Sequence, residues 1–174
     1  MMQNKYQNII NHYVSWRNEN PDTWINYTVE QTDICSAIKV AAKSENKEGI
    51  RNNHQKRLKK KAINDFIEEL TKKALEIKKA KNFNSLIQIV ESCKVKGIGE
   101  LACYDTANRI GCKIGVYPDK IYLHAGTKKG AEKLFGKKLS KRFIEKSELP
   151  EPFKSSELDC AELEDVLCIY KARF

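Results

Sequence analysis

Long apolar runs are missing from this 174-residue chain. No stretch approaches the roughly 20 residues a membrane-crossing helix needs. The opening Met1-Met2-Gln3-Asn4-Lys5 leads into a polar, aromatic segment, not into the apolar core of a secretion signal. A cytoplasmic protein is expected. Metal-binding spacings are missing too. Cys35, Cys93, Cys103, Cys112, Cys160 and Cys168 form no Cys-x-x-Cys pair, and His12, His54 and His124 stand far from matching partners. The thiols then read as small apolar residues of a reducing compartment, and no structural metal is expected. Proline, with four residues, and glycine, with eight, are scarce enough that each marks a break. There is no internal repeat and no alternating run long enough for a sheet.

Hydrophobic residues make up 41% of the chain, enough for a real core, so disorder is expected only locally. The formal net charge of +9 favours polyanions through counterion release, although lysines solvating helix faces would give the same number. Apolar residues recur at helical spacing almost throughout. Tyr6, Ile9, Ile10, Tyr13, Val14 and Trp16 form an amphipathic first helix that stops before Asn20-Pro21. Thr32 or Asp33 caps a second, carrying Ile34, Ala37, Ile38 and Ala41, and a polar loop with Gly49 follows. Leu58 to Lys81 reads as one long helix, with Leu58, Ala62, Phe66, Leu70, Ala74 and Ile77 inward. After Pro118 comes an extended piece, Ile121-Tyr122-Leu123, then a helix from Thr127 to Phe135 ending at Gly136. Pro150 and Pro152 mark a break before a last helix from about Ser156 to Tyr170. The expected fold is all-α, a single helical domain over residues 1–174.

The most informative stretch is Val95-Lys96-Gly97-Ile98-Gly99-Glu100-Leu101-Ala102, between apolar-periodic segments Phe83–Cys93 and Leu101–Ile114. It predicts helix, tight glycine turn, helix. Glycine accepts positive φ, so the chain reverses within a few residues and leaves its amides unshielded. Those amides open a helix, where the dipole favours an anion. Lys94, Lys96, Gly97, Ile98 and Gly99 are thus candidate DNA-backbone contacts, with Ile98 as the apolar plug of the turn. Lys128 and Lys129, in the basic run that continues to Arg142, are candidates to follow the same backbone. A second basic cluster, from Arg51 to Lys61, opens the long helix, and there His54-Gln55-Lys56-Arg57 reads as a solvated helix start or, alternatively, as a phosphate contact.

This pattern resembles the helix-hairpin-helix motif of DNA-binding proteins. The order of elements over residues 83–136 is similar to that of the helix-hairpin-helix DNA glycosylase superfamily. The resemblance implies DNA binding, a role in DNA repair or modified-base metabolism, and a pocket for a flipped base. It implies no cofactor, and at most a monovalent cation at the hairpin. The glycosylase aspartate falls at His124 and its lysine position at Leu101-Ala102, so the standard catalytic pair is absent.

A polar set remains: Tyr104, Asp105, Asn108 and Arg109 on the second hairpin helix, with Tyr122 and His124 beyond it. Asp105 and Arg109 share a helix surface and could simply pair, with Tyr104 in the core. Alternatively Asp105 and His124 form an acid–base pair for N-glycosidic hydrolysis at a pocket lined by Tyr104 and Tyr122. Three readings stay open: a glycosylase-like hydrolase with an unusual active site, a non-catalytic adaptor binding DNA or protein, or a structural helical protein with a coincidental turn. The acidic residues Glu162, Glu164 and Asp165 read as a surface stripe.

Overall fold

Short polar side chains set where the helices begin. The computed structural model describes residues 2–174 and contains α1 (Met2–Glu19), α2 (Thr23–Val29), α3 (Ile34–Lys43), α4 (Lys60–Lys72), α5 (Ala74–Lys78), α6 (Phe83–Ser92), α7 (Glu100–Ile114), α8 (Ala125–Phe135) and α9 (Cys160–Ile169). Asp22, Asp33, Asn82 and Asp159 each accept a hydrogen bond from a backbone N–H of the following first turn. Asp159 and Glu162 complete a capping box, which starts α9 at Cys160 and not near Ser156. The all-α expectation holds. Sheet structure among the described residues is limited to β1 (Ile121–Tyr122) and β2 (Phe143–Ile144), antiparallel with Ile121 opposite Ile144.

Two compact units divide the chain, Asp22–Tyr117 and residues 2–21 with Pro118–Phe174, so segment 83–136 crosses the boundary. In the first unit, α3 packs on α2, α4 and α7, and α7 also packs on α6. Ile38, Phe66, Leu70, Phe83, Leu86 and Ile110 are fully buried there. Expected as one helix, the segment from Leu58 to Lys81 is instead two, bent at Lys73, whose Nζ donates to Ser92 Oγ at 3.1 Å. Leu70, Ala74 and Ile77 are buried on both sides of that bend, so the apolar period runs through it uninterrupted. Helix α2 went unread for a different reason. Thr28 is its one fully buried residue, and a half-buried seven-residue helix leaves a weak periodic signal.

In the second unit Ile9, Ile10 and Tyr13 of α1 join Ile121, Ile144, Phe153, Leu163, Val166 and Leu167 in one core. Tyr13 donates to Asp165 Oδ2 at 3.1 Å, and the same carboxylate pairs with Arg17. Burial, followed by that carboxylate, pushes the Tyr13 hydroxyl far above its ordinary pKa. Helices α8 and α9 approach closely at Gly126, which faces the Cys168 side chain, and at Gly130, which faces the Leu167 backbone.

Candidate nucleic-acid interface

A tight turn at Gly97 joins α6 to α7. Helix α6 closes with Cys93 N–H on Val90 O and Lys94 N–H on Glu91 O. The Ile98 N–H then returns to Val95 O at 3.0 Å, making the turn. Gly97 has φ +98, a region side chains avoid, and its backbone lies against α4: an added Cβ would sit 3.3 Å from Ala62 Cβ. Ile98 in the turn and Ala102 in the first turn of α7 are both buried.

Gly99 is the N-cap of α7, in extended backbone, with no side-chain hydrogen bond to the helix. Open space surrounds the position of its missing Cβ. The first-turn amides of a helix have no intrahelical acceptor, so here an uncapped helix terminus meets solvent beside exposed Lys94 and Lys96. Glu100 is the one acidic side chain in that turn. An anion at this site is drawn by backbone amides and nearby lysines, against one exposed carboxylate.

The upstream basic cluster adjoins the hairpin, which its position in the sequence does not suggest. Ala62, the residue against Gly97, lies in the first turn of α4 directly after Lys59, Lys60 and Lys61, all exposed. Of His54-Gln55-Lys56-Arg57, three residues are solvated as expected, but Gln55 is buried. Its Nε2 donates to Asp105 Oδ2 at 2.7 Å. Asp105 also faces the Arg109 guanidinium at 3.9 Å, and Arg109, itself buried, donates to Ser44 Oγ at 2.8 Å and Ala41 O at 3.3 Å. The helix pair of Asp105 with Arg109 is therefore present, and Tyr104 is in the core, edge-on to Phe83 at 5.9 Å. Gln55 and Ser44 were missed because their partners are 50 and 65 residues away.

The remaining candidates lie in the other unit. His124 is the buried N-cap of α8, its ring stacked on Tyr122 at 6.4 Å with 11° between planes. The Arg142 guanidinium lies 5.9 Å from the Tyr122 ring centre. Lys128 is half-buried and Lys129 exposed, while Lys138 and Lys141 are held by Glu132 and Glu148. Glu164 corrects the expectation of an acidic surface stripe: it is buried and accepts from the fully buried Thr127 hydroxyl. Nothing in the local pattern distinguishes it from Glu162, because only the close approach of α8 buries it.

A family model described as ADDT, amino acid:DNA transferase, matches residues 3–174. The match is to a transferase family, with no helix-hairpin-helix or glycosylase family indicated. No curated protein and no solved structure matches the chain. Among the described residues no helix is long and apolar enough to cross a membrane.

Proposed function

Because the chain belongs to the amino acid:DNA transferase family, we propose that it holds DNA at the Gly97–Gly99 hairpin and takes part in joining an amino acid to that DNA. The observation that supports the DNA half of this reading most is the uncapped, unobstructed start of α7 beside two exposed lysines. Backbone amides grip a phosphate whatever the base, so such a contact supplies register and affinity without sequence preference.

The transfer half rests on the family and on chemistry common to any such reaction. If the amino acid joins through its amine, the nitrogen bonds to a carbon of a modified base as an activating group on that carbon, such as a phosphate ester, leaves with the bonding electrons. The amine gives up a proton, which an imidazole accepts readily near neutral pH. We assign that role to His124, at the start of α8. Base excision, implied by the glycosylase resemblance, would begin with the same grip on DNA and differ in its product.

One assay separates the readings. Purified protein is incubated with genomic DNA and with oligonucleotides bearing modified bases, a radiolabelled amino acid mixture, and with or without nucleoside triphosphate. Label retained on protease-treated DNA is the expected result. Free base without label would replace transfer by excision, and binding with neither product would leave a DNA-binding module.

A further inference from the structure

Lysines crowd the wrong end of α4. A helix N-terminus carries partial positive charge, which favours acidic side chains and disfavours cations there. Yet α4 begins Lys59-Lys60-Lys61, with no acidic residue in its first turn and no side-chain cap. Lys61 is answered by Asp65 at 2.6 Å. Lys59 and Lys60 take part in none of the ion pairs among the described residues, and neither do Lys94 and Lys96. Farther along the same helix the ordinary solvated arrangement returns, with Lys72 bridging Glu68 and Glu69.

The contact between Gly97 and Ala62 brings these two sets of lysines together. At 1.5 Å rise per residue, the backbone of Lys59 and Lys60 lies within about 5 Å along the helix axis from Ala62. Asp65, one turn along α4, is already paired with Lys61, and Glu100 is the acidic side chain in the first turn of α7. Resting on the reading that the hairpin takes a DNA phosphate, we propose that the first turn of α4 is the second half of the same surface. Lys59 and Lys60 hold a neighbouring phosphate of the strand gripped at the hairpin. Two contacts on one strand fix its direction across this unit, which a single phosphate cannot do. The proposal also accounts for lysines that oppose the helix dipole, since the anion they bind reverses the local charge.

The test uses the full chain and fluorescence anisotropy of labelled duplex and single-stranded oligonucleotides over a series of salt concentrations. Three variants are compared with the wild type: Lys59→Glu with Lys60→Glu, Gly99→Val, and a control of equal charge change, Lys78→Glu with Lys79→Glu. The α4 variant is expected to bind duplex at least about tenfold more weakly than the control, with a salt slope shallower by about 1, the loss of one phosphate contact. Its thermal midpoint should equal or exceed that of the wild type, because glutamate suits a helix N-terminus. An α4 variant that binds like the control overturns the proposal while leaving the hairpin reading intact if Gly99→Val is weakened. A wild type without salt-dependent binding overturns both.

Discussion

Gly130 on α8 lies so close to α9 that a Cβ in its place would stand 1.9 Å from the carbonyl oxygen of Leu167. One turn earlier, a Cβ at Gly126 would stand 2.5 Å from Cys168 Sγ. The two glycines meet different obstacles, and the difference is measurable. Gly130→Ala pushes against backbone, so the helices must separate, and we expect a loss of about 2 kcal/mol or more despite alanine's better helix propensity. Gly126→Ala pushes against the end of a side chain and should be largely relieved by Cys168→Ala. Urea denaturation of the three variants checks this; equal stability of Gly130→Ala and wild type would mean the helices are farther apart than described.

The hairpin glycines also separate. Gly97 has φ +98 and packs on Ala62, whereas Gly99 has extended backbone and open space around it. Gly97→Val is expected to lower stability by about 1–3 kcal/mol from backbone strain alone, so its effect on DNA binding is mixed with folding. Gly99→Val should leave the denaturation midpoint close to that of the wild type and weaken DNA binding by covering the amides. Unchanged anisotropy for Gly99→Val would remove the hairpin from the interface.

What the sequence made legible follows from range. The glycine turn at Gly97, the end of α8 at Gly136 and a cap at Thr32 or Asp33 are local features, set by backbone preferences a few residues wide and legible in the chain; the structure selects Asp33. The bend at Lys73 was hidden because its flanking residues bury the same face. Gln55 beneath Asp105, and Glu164 beneath Thr127, depend on elements brought together by the fold, and their burial leaves no mark in spacing. The placement of Lys59 and Lys60 beside Gly97 is of the same kind: the sequence shows two charged clusters, and only the Ala62 contact shows which of them meets the hairpin.

Acid should unfold the protein partly through Glu132. Its carboxylate accepts the Leu139 N–H at 3.1 Å and faces Lys138 at 3.4 Å. Chiefly through that backbone bond, its pKa is held below the ordinary 4.5. A carboxyl with a depressed folded pKa stabilises the fold above its unfolded value and loses that contribution as pH falls through the folded one. Glu148, depressed mainly by its bond with Lys141, acts with the same sign. Stability measured by urea titration between about pH 6 and pH 3 should therefore decline toward acid, and the decline should be shallower in Glu132→Gln. Parallel curves for the two proteins would mean that Glu132 titrates alike in both states.

The last prediction decides whether His124 carries chemistry or only starts a helix. The imidazole is buried at the head of α8 and stacked on Tyr122. If its role is to accept a proton from the attacking amine, His124→Ala should abolish label transfer to DNA. Binding should stay within about twofold of wild type, because in the proposed reading the phosphate is held by backbone amides at the start of α7. Asp105→Asn supplies the comparison. Asparagine keeps an acceptor oxygen for Gln55, whose bond to Asp105 is 2.7 Å, and removes the charge facing Arg109. A folded Asp105→Asn that still transfers label would assign Asp105 to the Gln55–Arg109 network alone, whereas loss of transfer would show that the reaction needs that network intact. Transfer retained by His124→Ala, with DNA binding and midpoint unchanged, would move the acid–base group away from α8 altogether.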